Sequence, residues 1–361
     1  MKVIHLPTSV GGNSYGLSRA ERSIGINSDV LVLYNNWTQY PADKILFSRE
    51  PSSVFQGFFQ LPKIINYALK LRNEYTIFHF NFGKSLIDFP RFHINLMDLP
   101  LFKKKGKIFV TYNGCDARQK FPTMARTNFS ACHHDMCYNG ICLSGETDRI
   151  KRKRILKFDE YADGIFALNP DLFYFLPKRA RFLPYSIAGW DEIPLTPEKN
   201  RRPVITIIHS PTNRVAKGSE VIIHCLSELK ELYGDAIEIK LIEGIPHNLA
   251  LKFYSTADII IDQILIGWYG ALAVEAMKMG IPVISYIREE DLHFIPHEMA
   301  QQCKNAIICA EESTLLNVLI SLIEDPDLLN IYRNNGLKYV NEWHNPKYIA
   351  SLTKNAYESE I

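Results

Sequence analysis

Residues 258–286 read DIIIDQILIGWYGALAVEAMKMGIPVISY. The apolar run from Ile259 to Ile261 predicts a strand, and Gly267-Trp268-Tyr269-Gly270 a glycine-bracketed loop. A helix follows, with one carboxylate, Glu275, in its first half. Gly280 closes that helix and Pro282 opens the next apolar run, PVISY. Backbone N–H groups at a helix N-terminus favour a phosphate, which here points to Tyr269, Gly270 and Ala271. A carboxylate one turn further on is placed to accept hydrogen bonds from ribose hydroxyls.

A second unit lies upstream. The strand-like VITIIHS hands over to a helix through His209-Ser210-Pro211-Thr212-Asn213-Arg214-Val215-Ala216-Lys217-Gly218. Two cations and a glycine at that junction, with the loop at 267–271, describe a pocket for a nucleoside diphosphate.

The rest of the chain repeats the alternation. KVIHLP, SDVLVLY, TIFHFNFG, KIFVTYNG and DGIFALN read as strands. LSRAERSIG, PKIINYALKLRNE, DRIKRKRILKFDEYA and PDLFYFLP read as helices. Residues 184–203 carry four prolines and no periodicity, and read as a linker. After them the strand–helix pattern restarts. The expected architecture is α/β, with two Rossmann-like domains facing across a cleft and the ligand beyond the carboxyl ends of the strands.

Composition agrees with two cores. Of 361 residues, 47% are apolar, and seven cysteines make no disulfide framework. No apolar run reaches the ~20 residues of a membrane span. MKVIHLPTSVGG reads as a first strand and not as a leader, so a reducing, cytoplasmic setting is expected. The net charge of +2 hides an asymmetry: residues 1–185 hold 26 Lys and Arg against 15 Asp and Glu, and the remainder 15 against 24. The basic clusters at Lys103–Lys107, Lys151–Arg154 and Lys178–Arg181 suit peripheral contact with an anionic membrane face, a lipid phosphate or an acidic glycan; otherwise they are solvated surface. No nucleic-acid partner is expected.

The series HSPTNRVAKG, EGIPHNLALKFYSTADIIIDQ and GWYGALAVEAMKMGIPVISY resembles the C-terminal half of a GT-B glycosyltransferase, and is most similar to the retaining family-4 group. PTSVGGNSYGLSRA resembles that group's N-terminal glycine loop, and WHNPKYIASLTKNAYESE the helix that crosses back to the first domain. The resemblance implies an acceptor-side domain over 1–185 with the crossing helix at 343–361, and a donor domain over 186–342. It implies transfer of a sugar from a nucleoside-diphosphate sugar to a glycan or lipid-linked acceptor, as in the synthesis of cell-surface polysaccharide. A nucleotide-sugar epimerase or phosphorylase and a non-catalytic glycan-binding scaffold are the alternatives.

Residue by residue, Arg214 and Lys217 match the cationic pair on the donor diphosphate, or are surface cations at a helix start. With no obvious DxD metal motif, no cofactor is expected to be required for catalysis. Glu275 matches the second carboxylate of the E-x7-E signature; the first falls at Gly267, which bears on sugar selection or mechanism. Glu243, Gly244 and Ile245 frame the base, or form an ordinary turn. Gly11 and Gly12 approach donor phosphate or acceptor, or make a tight turn; their spacing is not GxGxxG, which disfavours a nicotinamide site.

Asn113-Gly114-Cys115-Asp116-Ala117-Arg118 resembles the "H-G-x-D" loop, with Asn113 where the group often has His. Asp116 and Arg118 touch acceptor or sugar hydroxyls, or pair with each other. Asp116 and His79 are the candidate catalytic residues, and His79 is alternatively a core histidine. No general base is evident, and the resemblance implies a front-face mechanism in which the leaving phosphate assists deprotonation. Cys115, Cys132-His133-His134, Cys137 and Cys142 are ligands for a structural zinc, or reduced thiols on an excursion at 118–148 over the acceptor side.

Overall fold

The computed structural model describes residues 1–89, 94–197 and 204–359, the side chain of Val54 excepted. The chain forms two compact units. One comprises Met1–Gln119, Glu146–Ala188 and Asn345–Ile361; the other comprises Lys120–Gly145 and Gly189–His344.

In chain order the elements are β1 (Lys2–Leu6), α1 (Asn13–Ser23), β2 (Asn27–Tyr34), β3 (Lys44–Phe47), α2 (Val54–Glu74), β4 (Ile77–Asn81), α3 (Leu99–Lys103) and β5 (Lys107–Tyr112). Then come α4 (Lys120–Arg126), α5 (Glu146–Tyr161), β6 (Gly164–Ala167), β7 (Arg181–Phe182), β8 (Ile205–His209), α6 (Arg214–Lys217), α7 (Ser219–Tyr233), β9 (Ile237–Leu241) and α8 (His247–Tyr254). The chain closes with β10 (Ile259–Gln263), α9 (Ala271–Lys278), β11 (Val283–Ser285), α10 (His297–Ala306), α11 (Leu315–Glu324), α12 (Pro326–Trp343) and α13 (Pro346–Glu358).

The first unit is a seven-stranded parallel sheet, ordered β3-β2-β1-β4-β5-β6-β7. Alternation along each strand sorts its two faces. Ile4, Leu6, Phe78, Phe80, Ile108 and Val110 meet Ile64, Ala68 and Leu71 of α2 and Ile155 and Phe158 of α5 in one apolar core. The helix expected to begin at Pro62 starts at Val54, where the Ser53 hydroxyl accepts from the Gln56 N–H at 3.3 Å, so the proline is interior.

The opposite face is polar at its centre. Glu21 of α1 is fully buried and accepts hydrogen bonds from His5 Nε2 (2.9 Å), Ser28 Oγ (2.6 Å), Thr353 Oγ1 (3.1 Å) and the Tyr357 hydroxyl (2.8 Å). His79 joins the same network: its Nδ1 meets the Tyr357 hydroxyl at 2.5 Å and its Nε2 meets Thr111 Oγ1 at 2.7 Å. Because the Tyr357 proton goes to Glu21, His79 carries its own proton on Nδ1 and accepts from Thr111. These bonds fasten α13 to the sheet of the first unit.

The second unit is a four-stranded parallel sheet, ordered β11-β10-β8-β9. Ile207, Ile259, Ile261 and Ile284 pack with Ile222, Leu226 and Leu229 of α7 and Leu315, Leu319 and Leu322 of α11. The excursion expected over the acceptor side belongs here from residue 120 to residue 145. Ala131 joins the core of this unit, and its N–H donates to the Leu265 carbonyl at 3.3 Å.

Of the expected linker, residues 198–203 lie outside the described residues. Its other parts are tied down within their own units. The Ser186 N–H donates to Asn13 Oδ1 at 3.0 Å, and Thr196 Oγ1 donates to the Met279 carbonyl at 2.7 Å. Among the described residues no helix is long and apolar enough to cross a membrane.

Candidate functional site

At the carboxyl end of β8 the chain turns through Asn213, whose side chain accepts from the Ala216 N–H at 2.9 Å and starts α6. Gly218 sits at φ 76°, where a Cβ would lie 2.5 Å from Ile264 Cγ1, so the step from α6 to α7 requires glycine. This turn aims Lys217 at the end of β10. Its Nζ lies 2.6 Å from Asp262 Oδ1, and Asp262 Oδ2 accepts from the Gly270 N–H at 2.6 Å. Asp262 is fully buried. One carboxylate therefore orients both the lysine and the glycine expected to hold phosphate, and the Gly270 N–H is spent on it.

Gly270 is the N-cap of α9, and its carbonyl accepts from Ala273 and Val274. The N–H groups of Ala271 and Leu272 open the helix without an intrahelical acceptor. The loop leading to them is pinned by Gln263, also fully buried. Its amide donates to the carbonyls of Trp268 and Tyr286, both at 2.9 Å, and its Oε1 accepts from Leu265 and Ile266 N–H. The Tyr269 side chain turns inward, its hydroxyl 2.7 Å from that of Tyr339 and 2.9 Å from His344 Nε2, so only the backbone of Tyr269 is left for a ligand.

Glu275 is buried one turn into α9, with Oε1 2.7 Å from His247 Nε2 at the start of α8. Arg214 is exposed and grips Glu243 with two bonds, Nε–Oε1 at 2.9 Å and Nη2–Oε2 at 2.7 Å. The link joins α6 to the turn at Glu243-Gly244-Ile245, half-buried at Glu243 and Ile245 and exposed at Gly244. The Arg214 partner is thus a residue expected at the base, and its guanidinium is held at the surface.

Gly267 stands at φ 85°, and a Cβ there would lie 3.0 Å from Arg288 Nη1. A glutamate is strained at this backbone conformation and meets the arginine. Arg288 itself donates to the Phe129 carbonyl at 3.2 Å, so the 120–145 excursion flanks the loop before α9.

His209 ends β8 with Nδ1 2.8 Å from the Ile261 carbonyl and Nε2 2.8 Å from Ser219 Oγ. Burial pushes it down from 6.5 to about 4, and burial likewise holds His79 well below 6.5. Both stay neutral in the folded chain at a pH where the unfolded chain protonates them. Stability is therefore expected to fall as pH drops below 6.5, with His209 alone removing roughly 3 kcal/mol by about pH 4. Urea midpoints across that range check this, and a flat profile down to about pH 5 refutes it.

The candidates of the first unit are placed differently from one another. His79 is a fully buried core histidine with both ring nitrogens bonded. That is the second of the two readings open to it, and it removes His79 from the catalytic candidates. Asp116 closes its own loop, accepting from the N–H groups of Asn113 (3.0 Å) and Gly114 (2.6 Å). Burial raises its carboxyl above the usual 3.8 despite those bonds.

Arg118 does not pair with Asp116. It is buried on Asp171, Nε–Oδ2 at 2.6 Å and Nη2–Oδ1 at 2.9 Å. Asn113 Nδ2 reaches the Val10 carbonyl at 3.5 Å, beside Gly11 and Gly12 at φ 61° and 69°. Around this turn Thr8 Oγ1, Ser9 Oγ, Asn13 Nδ2, Asn113 Oδ1 and Ser186 Oγ are buried without a hydrogen-bond partner.

The expected zinc ligands do not assemble. Among the described residues the metal-competent group of three is His5, Glu21 and His79, inside the network under α13. Cys115, Cys132, Cys137 and Cys142 form no such group among the described residues.

No family model and no curated protein matches the chain. Solved structures match its fold. Sucrose-phosphate synthase from Thermosynechococcus elongatus is 15% identical over 99% of this chain and 98% of its own, with a TM-score of 0.61. HepE from Anabaena, solved with UDP-glucose, is 14% identical over 98% of both chains, with a TM-score of 0.60. WaaG, a glycosyltransferase of lipopolysaccharide biosynthesis, is 10% identical over 100% of both chains, with a TM-score of 0.54. The fold is GT-B: α/β, with two Rossmann-like domains.

Proposed function

We propose that the chain is a retaining glycosyltransferase that moves a sugar from a nucleoside-diphosphate sugar to a hydroxyl of a glycan or lipid-linked acceptor. One observation carries this reading: Lys217, the open N-terminus of α9 and the buried Glu275 converge at the carboxyl ends of β8 and β10. Breaking the bond between the anomeric carbon and the diphosphate builds charge on the leaving phosphate. Lys217 and the Ala271 and Leu272 N–H groups are fixed where they stabilise that charge. Glu275, on its His247 support, faces the ribose, and Arg214 is close enough to Lys217 in the chain to add a second cation.

In the first unit the unpartnered polar atoms of Thr8, Ser9, Asn13, Asn113 and Ser186 suit a polyhydroxylated ligand, and are assigned to the acceptor. A second reading, a binding subunit without turnover, is favoured by one observation: the first signature carboxylate is replaced by Gly267, whose backbone does not accommodate it.

Thermal unfolding with UDP, GDP and ADP tests the reading. One nucleotide at about 100 times its dissociation constant is expected to stabilise by roughly 2.7 kcal/mol, seen as a rise of a few degrees. The matching sugar nucleotide then releases free nucleoside diphosphate as its sugar passes to the hydroxyl of an added glycan acceptor or, more slowly, to water. No shift with any of the three sinks the donor site, and binding without release moves the conclusion to the non-catalytic reading.

A further inference from the structure

We propose that the outer face of α2 docks on an anionic lipid surface. The inner face of α2 is already used, with Ile64, Ala68 and Leu71 buried in the core of the first unit. A surface helix that buries one stripe ordinarily turns polar residues outward. This one turns outward a second apolar stripe: Phe55 is 77% exposed, Phe59 81%, Ile65 40% and Leu69 44%, with exposed Pro62 between them.

Their spacings of four, three, three and four residues put all five on one side of the helix. The row extends along about 20 Å of helix. Single exposed apolar residues are ordinary, but a continuous row ending in two phenyl rings marks an interaction surface.

Charge selects the partner. The first unit holds 26 Lys and Arg against 16 Asp and Glu. Lys63 and Lys70 are exposed along one edge of the stripe. Lys63 Nζ lies 4.8 Å from the Phe47 ring and Lys44 Nζ 4.4 Å from the Tyr67 ring, so their stems add apolar cover beside the helix. Protruding rings and aliphatic side chains edged by lysines match the boundary between acyl chains and anionic headgroups, with the helix in the plane of the surface. The sequence pointed to the same half of the chain through basic clusters alone; the apolar stripe is a separate observation and does not depend on the transfer reaction.

Flotation with vesicles tests the docking. The intact chain is expected to float with vesicles of equal parts phosphatidylglycerol and phosphatidylcholine, more weakly with phosphatidylcholine alone, and less as salt is raised. Phe55→Ser/Phe59→Ser is expected to lose at least about tenfold in partitioning with an unchanged melting temperature, because both side chains are exposed. Lys63→Gln/Lys70→Gln weakens binding to the anionic vesicles only.

Two results overturn the proposal. One is a wild-type chain that stays unbound with the anionic vesicles, including one whose serine variant abolishes a dimer in sedimentation velocity, which assigns the face to a second copy. The other is equal flotation of the serine variant.

Discussion

Lys217→Ala is expected to lose about 3–5 kcal/mol of stability, far more than a partly exposed lysine ordinarily contributes. The cause is Asp262, buried with its Oδ1 2.6 Å from Lys217 Nζ. Without the ammonium, the donor left to that carboxylate among the described residues is the Gly270 N–H. Lys217→Ala/Asp262→Asn is expected to recover most of the loss, because an amide carries no charge to strand and still offers its oxygen to Gly270. It is expected to keep no response to UDP, because the fixed cation is gone. Denaturant titration of both variants, with and without nucleotide, separates the two roles. Wild-type midpoints in the single variant would show the pair to be structurally idle. Undiminished UDP binding in the double variant would remove Lys217 from the donor site.

Glu21→Ala is expected to cost a similar 3–5 kcal/mol at neutral pH. The substitution leaves His5, Ser28, Thr353 and Tyr357 with donors aimed at an empty place in a sealed interior. Burial alone would raise the Glu21 carboxyl, but attraction to His5 and hydrogen bonds from His5, Ser28 and Tyr357 outweigh it and hold the carboxyl below 4.5. A depressed carboxylate stabilises the fold above its unfolded value and ceases to as pH falls through the folded one. The penalty of Glu21→Ala is therefore expected to shrink in acid below about pH 4.5. Unfolding free energies at neutral and acid pH check the sign. Amide exchange along α13 checks the location, since Thr353 and Tyr357 lose their common acceptor.

The second unit was the more legible half of the chain. Its signals are local: glycines at 267, 270 and 280, a proline at 282, and cations in one short turn. Backbone geometry alone places such residues at a helix start, and Gly270 is the N-cap of α9, bonded to Asp262 of β10. Asp262 and His247 escaped because each acts through a partner distant in sequence, Lys217 and Glu275, and an acid ending an apolar strand has no pattern of its own. The run DQ at 262–263, two polar residues closing an otherwise apolar strand, was the available signal.

Arg118 and His79 were each open to two readings from the sequence, because the partners that bury them, Asp171 and Tyr357, lie far along the chain. β3 and β7 were missed because edge strands of four and two residues leave almost no periodic trace. The start of α2 was misplaced because its first two turns are apolar on the solvent side, a pattern without the usual contrast.

The placing of α13 in the first unit also constrains how the protein is made. A ribosome delivers Tyr357 336 residues after Glu21, so the buried carboxylate of the first unit meets these partners only after the second unit has been made. The usual order, in which an N-terminal domain matures while the rest is still being synthesised, is closed to this chain. The second unit, continuous from Gly189 to His344 apart from one earlier excursion, is the part able to consolidate first. Nascent chains truncated before residue 346 should accordingly carry a protease-sensitive N-terminal half.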